Sequence, residues 1–72
     1  MYLQGQTFSK ENFTRADLAL EYDECTFVDC SFNALDLSNI SFVECSFENC
    51  DLSNTTTQSA SFKDVHFTRC KL

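Results

Sequence analysis

Every fifth residue along most of this chain is large and apolar. The series runs Phe27, Phe32, Leu37, Phe42, Phe47 and continues through Leu52, Phe62 and Phe67 to Leu72. Two places before the first five stand Cys25, Cys30, Leu35, Ile40 and Cys45, which are small or aliphatic. The places between hold polar turn formers such as Asp29, Ser31, Asn33, Asp36, Ser38 and Asn39. Of the eleven central positions from Tyr22 to Leu72, ten are Phe, Leu or Tyr, and only Thr57 breaks the rule. A period of five fits neither the helix nor the flat strand. It requires a chain that points two of every five side chains inward and then rounds a corner. One such unit cannot bury its own apolar groups, so successive coils must stack into a solenoid.

The triplets Ala16-Asp17-Leu18, Cys30-Ser31-Phe32, Cys45-Ser46-Phe47, Cys50-Asp51-Leu52 and Ala60-Ser61-Phe62 carry the same order. A small or aliphatic residue comes first, then Asp or Ser, then Leu or Phe, with two variable residues after. In this the chain resembles the pentapeptide repeat family, closely from Leu20 to Leu72 and loosely before that. The resemblance implies an all-β fold, a right-handed quadrilateral β-helix with one pentapeptide per side. It implies twenty residues per coil and about three coils over residues 20–72.

A twenty-residue coil fixes which residues lie over one another. Tyr22, Phe42 and Phe62 form one inward column, and Phe27, Phe47 and Phe67 a second. Phe32, Leu52 and Leu72 form a third, and Leu37 with Thr57 a fourth. The step along each column is expected to be about 4.8 Å, the spacing of paired strands. At Thr55-Thr56-Thr57 a hydroxyl takes the place of a ring, which predicts a distorted side or a small bulge. Residues 1–19 keep Leu3, Phe8, Phe13 and Leu18 in step but place Gln6 and Glu11 at the small inward position. A buried, unpaired carboxylate is costly, so this segment reads as a cap or an irregular leading strand. The step from Leu18 to Tyr22 is four, which predicts a tight bend near Ala19-Leu20.

The five cysteines, Cys25, Cys30, Cys45, Cys50 and Cys70, all fall on the small inward position. Structural zinc pairs are usually separated by two to four residues, but here all five take the inward packing position, and side chains pointing the same way strain a bridge. They read as small buried hydrophobes, and neither metal nor other cofactor is expected. An odd cysteine count, with no charged and apolar leader in Met1-Tyr2-Leu3-Gln4-Gly5, suits a reducing, cytoplasmic setting. The longest apolar runs fall far short of a membrane span. Three Asn-x-Ser/Thr triplets begin at Asn12, Asn39 and Asn54, and a repeat built from these residues generates them by itself. His66, the one histidine, takes an outward position with no ligand or nucleophile at useful spacing. A solenoid with a filled interior has no cleft for catalysis, so no enzyme is expected.

Charge is the feature that points to function. Eleven Asp and Glu stand against five Lys and Arg, which excludes the basic stripe of a direct nucleic-acid binder. Between Arg15 and Lys63 there are nine acids and no base. The coil register stacks Glu24, Glu44 and Asp64 on one side. One reading is a scaffold that binds a protein partner. The other follows from resemblance: the stretch around Glu21-Tyr22 and Cys25-Thr26-Phe27 is similar to family members that protect DNA gyrase and topoisomerase IV from quinolones. Those are thought to mimic DNA, though they are longer and dimerise through a C-terminal module not matched here. The series stops at the repeat centre Leu72 with no capping segment, which predicts an end-to-end homodimer or the N-terminal piece of a longer solenoid.

Overall fold

A computed structural model describes residues 2–71. It contains eight three-residue strands: β1 (Tyr2–Gln4), β2 (Thr7–Ser9), β3 (Glu21–Asp23), β4 (Thr26–Val28), β5 (Ser41–Val43), β6 (Ser46–Glu48), β7 (Ser61–Lys63) and β8 (His66–Thr68). They form two parallel sheets, ordered β1-β3-β5-β7 and β2-β4-β6-β8. The other two sides are held by single bridges, Asn12–Ser31–Asp51–Lys71 along one and Asp36–Thr56 along the other. The chain is thus a four-sided parallel β-solenoid, all-β apart from one short 3-10 turn at Arg15–Asp17.

Each side except the last two of the first coil ends in a residue with positive φ. Among the described residues these are Gly5, Lys10, Glu24, Asp29, Ala34, Asn39, Glu44, Asn49, Asn54, Ser59, Asp64 and Arg69. The corner always falls two places after the inward central residue. Left-handed backbone suits Gly and Asn and strains other L-residues, yet most of these corners are neither. At Phe32–Leu35, Leu37–Ile40 and Thr57–Ala60 the corner closes with an i to i+3 bond of 3.0–3.2 Å. With positive φ at the third residue, these are type II turns.

The twenty-residue register holds throughout the later coils: Tyr22 pairs with Phe42 and Phe42 with Phe62, Phe27 with Phe47 and Phe47 with Phe67. Rings in these columns lie nearly parallel, 4.7 Å apart for Phe27–Phe47 and 5.2 Å for Tyr22–Phe42, Phe42–Phe62 and Phe47–Phe67. That matches the strand spacing of about 4.8 Å. Neighbouring columns meet edge to face, as Phe42 and Phe47 do at 5.4 Å and 67°. Tyr22, Phe27, Phe32, Leu37, Phe42, Phe47 and Leu52 are buried, with Ala19, Ile40, Cys25, Cys30, Cys45 and Cys50 between them. Leu72, expected to close the third column, lies outside the described residues.

Two expectations need correction. The slip of one residue falls between Asn12 and Glu21, the stretch in which a bend near Ala19-Leu20 is expected. Pairing between the first and second coils is already offset by nineteen at Tyr2–Glu21, Thr7–Thr26 and Asn12–Ser31. The next side holds the 3-10 turn, in which the Thr14 backbone N–H and hydroxyl both donate to the Asp17 carboxylate at 3.1 and 2.8 Å. Arg15 ties it to the next coil by donating to the Asp36 carbonyl at 2.8 Å. Inside this tightened corner the Ala19 N–H donates to the buried Tyr22 hydroxyl at 2.9 Å. Residues 2–19 therefore form a coil of their own, regular on three sides and irregular on the fourth. Gln6 and Glu11 are exposed, because on the outermost coil their position faces solvent.

The first correction concerns Thr55–Thr57, where no bulge forms. The Thr56 N–H donates to the Leu35 carbonyl at 2.9 Å and the Leu37 N–H to the Thr56 carbonyl at 2.7 Å, the ordinary ladder. The Thr55 hydroxyl donates to the Leu52 carbonyl at 3.0 Å, and Thr57 is exposed. A hydroxyl that reaches solvent carries no desolvation cost, so the side stays regular. The second concerns Phe62 and Phe67. Each remains 40% exposed, because β7 and β8 are the outer strands of their sheets.

Candidate functional site

The interior is filled with rings and thiols, so the outer surface is what another molecule meets. Glu24, Glu44 and Asp64 occupy the corner that joins the two sheets, with φ of 54°, 52° and 55°. All three are exposed. The corner is held in step by the Glu24 N–H donating to the Val43 carbonyl at 2.9 Å and the Glu44 N–H to the Lys63 carbonyl at 2.8 Å. The strand register therefore brings the three residues into one column. Two unit charges so spaced repel by about 1 kcal/mol in water, less in salt. In the first coil Gly5 takes the equivalent place, and the Gln4 amide donates to Glu24 Oε1 at 3.5 Å.

The sides meeting at this corner add Glu21 and Asp23 on β3 and Glu48 on β6. The Tyr2 hydroxyl donates to Asp23 Oδ2 at 3.0 Å, and that bond is the main reason its pKa is raised. The next corner stacks Lys10, Asp29, Asn49 and Arg69. There the Asn49 amide donates to Asp29 Oδ1 at 2.6 Å. Two further carboxylates serve turns. Asp51 accepts from the Ser53 hydroxyl at 2.6 Å and its N–H at 3.0 Å, and Asp36 accepts from the Ser38 N–H at 2.9 Å. Hydrogen bonds from those serines hold both carboxyls below the usual range. The acids that remain facing outward without a turn to support are concentrated on the sides around Glu24, Glu44 and Asp64.

The cysteines do structural work. Each thiol points at two carbonyls, that of the residue two places back and one on the coil beneath. Cys45 Sγ lies 3.4 Å from both the Val43 and Tyr22 oxygens, and Cys50 Sγ 3.3 Å from those of Glu48 and Phe27. Burial pushes the Cys45 thiol up and the Cys50 thiol up to about 11. All five are free, four buried and Cys70 half-buried. Among the described residues no group of three or more His, Cys, Asp or Glu is placed to hold a metal ion. His66 is exposed on β8.

Two features escaped the sequence reading. An open cavity of about 410 Å³ lies at the last coil, lined by Leu37, Leu52, Thr57, Phe62 and Phe67 together with Asn54 and Thr55. None of these side chains titrates. The same coil carries Lys63, Arg69 and Lys71, all exposed. The sequence did carry the signal: every base after Arg15 falls beyond residue 62.

No helix is long and apolar enough to cross a membrane among the described residues. No curated protein matches the chain significantly. The family model for pentapeptide repeats matches residues 25–56 in eight copies. The matched stretch lies within the coils whose inward columns are buried; the twenty-residue register continues beyond it to β7, while toward β1 the offset is nineteen. Residues 25–56 of this chain are pentapeptide repeats of that family.

Proposed function

We propose that this chain is a non-catalytic protein-interaction module that works through the acidic corner of Glu24, Glu44 and Asp64. The observation that carries this reading is the repetition of an exposed carboxylate at one corner over three successive coils. Repulsion along such a column works against folding, and a basic partner surface would relieve it. A rigid, fully packed scaffold keeps the spacing fixed, which lowers the ordering cost of binding. Localisation in the cytoplasm fits the buried free thiols. The test is capture of partners by the wild-type chain and by a Glu24→Gln, Glu44→Gln, Asp64→Asn variant of equal thermal stability. A specific partner retained by the first and lost by the second supports the corner as the working surface. Equal retention places the interface elsewhere.

A second reading is DNA mimicry toward DNA gyrase or topoisomerase IV, and the charge column is the observation in its favour. Its reach is limited. Three corners at about 4.8 Å spacing cover roughly 10 Å, the length of about three phosphates on one DNA strand. The block measures 23 × 22 × 21 Å, about as long as it is wide. A mimic of this size competes for a short stretch of a basic groove and would lose affinity with a log–log salt slope of about −2 to −3. Supercoiling by gyrase at rising concentrations of the chain, with and without a fluoroquinolone, tests it. Inhibition or drug protection that disappears in the triple variant supports mimicry, and no effect at high micromolar concentration removes it.

A further inference from the structure

The thiols are stacked as regularly as the rings. Cys25 and Cys45 stand just before the paired residues Thr26 and Ser46, and Cys30 and Cys50 just before the bridged Ser31 and Asp51. The Ser46 N–H donates to the Cys25 carbonyl at 3.0 Å and the Asp51 N–H to that of Cys30 at 3.1 Å, so each pair occupies adjacent rungs of one ladder. All four are buried, and all four make the same two contacts. Cys25 Sγ lies 3.5 and 3.7 Å from the Asp23 and Leu3 oxygens, as Cys45 Sγ meets those of Val43 and Tyr22. Cys30 Sγ lies 3.3 and 3.5 Å from the Val28 and Phe8 oxygens, as Cys50 Sγ meets those of Glu48 and Phe27. Leu3 pairs with Tyr22 and Phe8 with Phe27, so the side chains of a pair have equivalent orientations. Their sulfurs are therefore one coil step apart. The ring columns on either side of Cys25 and Cys45 measure that step as 5.2 Å for Tyr22–Phe42 and 4.7 Å for Phe27–Phe47. Burial is the main reason that the Cys45 and Cys50 thiols are raised, and the thiols stacked on them, Cys25 and Cys30, add to it.

We infer that each stacked pair, Cys25 with Cys45 and Cys30 with Cys50, is a site for a soft cation that takes two thiolates in a line, as Cu(I), Ag(I) and Hg(II) do. A metal–thiolate bond is about 2.3 Å, so a linear sulfur–metal–sulfur unit is about 4.6 Å long. That is the coil step, and the ladder supplies it without moving the backbone. A disulfide fits less well, because sulfurs about 2.05 Å apart would need side chains of like orientation to turn toward one another. Zinc, which takes four ligands, finds no third or fourth here among the described residues. Thiolate ligands and a coordination number of two together select the soft ions. On binding Hg(II), the two S–H bonds break, two metal–sulfur bonds form and two protons leave to water, with no change of oxidation state. The buried unit is then neutral. A monovalent ion would leave one negative charge in the interior, which is costly, so Hg(II) is expected to bind most tightly. The thiols are reached through local opening of the coils. Both pairs lie inside the stack and away from the acidic corner, so this inference is independent of the function proposed above.

The probe is Hg(II) chloride, added to the wild-type chain and to two variants that keep two thiols each. One variant retains the stacked Cys25 and Cys45, with Cys30→Ala, Cys50→Ala and Cys70→Ala. The other retains the sequence neighbours Cys25 and Cys30, with Cys45→Ala, Cys50→Ala and Cys70→Ala. Alanine already takes this repeat position at Ala60, so both variants keep the pattern. The stacked pair is expected to take one ion per chain with loss of two protons by native mass spectrometry, and to melt at higher temperature when loaded. Partners that merely orient metal ligands are worth about 10–100-fold in affinity. The neighbour pair, whose thiols stand in different columns, is therefore expected to bind more than about a hundredfold more weakly in competition with glutathione, with no rise in Tm. The wild-type chain needs no substitution and is expected to take at least two ions, each with two sulfurs at about 2.3 Å by X-ray absorption. Equal affinity of the two variants overturns the inference. So does a fall in the wild-type Tm on loading, or an ion held by one protein sulfur alone.

Discussion

Phe47→Ala is the perturbation whose size the structure fixes best. Phe47 is fully buried, with 0% exposure. It is stacked at 4.7 Å on Phe27 and 5.2 Å on Phe67, and meets Phe42 and Phe32 edge-on at 5.4 and 5.7 Å. Truncating a buried Phe to Ala costs about 3–5 kcal/mol. Aromatic pairs add about 0.5–1.5 kcal/mol each beyond area, which places this site near the upper end. A domain of this size has a total stability of roughly 4–11 kcal/mol. The variant therefore loses about half of its stability or more, which is a fall in Tm of roughly 15–30 °C. Phe67→Ala is the internal control. It sits in the same column, 40% exposed and with one stacked neighbour beneath it, and is expected to cost about a third as much. Both are read by thermal melting and urea unfolding, with Phe47→Leu measured in case Phe47→Ala does not fold. Equal losses at positions 47 and 67 would refute the column as described.

Other outcomes follow from single features. Ala34→Gly and Ser59→Gly, at φ of 60° and 64°, are each expected to raise stability by about 0.5–1 kcal/mol in urea titration, since glycine relieves left-handed strain. Thr57→Leu, which continues the fourth column over Leu37, is expected to add about 1 kcal/mol, and a lower Tm would show that the cavity is not filled by that side chain. Tyr22→Phe leaves the buried Ala19 N–H without its acceptor and is expected to cost about 1–3 kcal/mol. The Cys50 thiol, raised from 9.0 to about 11 in the fold, favours the folded state as the neutral form. Its contribution is fully present below pH 9 and is lost as pH rises toward 11, so the urea midpoint should fall across that window, and fall less in Cys50→Ala.

The period of five was enough to read the register from Tyr22 to Phe67, because side-chain burial and strand pairing obey the same spacing. Phe27, Phe47 and the cysteines between them are placed by it without reference to any neighbour. What it could not resolve were places where backbone geometry or position along the axis decides. The short first coil also holds a 3-10 turn that Thr14 and Asp17 close, a local hydrogen-bond choice to which the repeat is blind. Thr57 looked disruptive because every column site was treated as interior, yet it lies at the end of its column where a hydroxyl meets water. The same reasoning hid the exposure of Phe62 and Phe67. The column of Glu24, Glu44 and Asp64 was legible from spacing alone. The cavity at the last coil was not legible, because it depends on where Thr57, Phe62 and Phe67 come together in space.

The buried columns and the acidic corner both depend on the twenty-residue step between stacked residues. The most direct measurement is nuclear Overhauser contacts in a uniformly labelled sample, between the rings of Tyr22 and Phe42 and of Phe27 and Phe47, and between backbone protons of β4 and β6. Contacts at these pairs, together with one between β1 and β3 offset by nineteen, are the predicted result. Contacts of Phe27 with a residue at any other offset along the chain, in place of Phe47, would contradict the solenoid and with it the acidic corner.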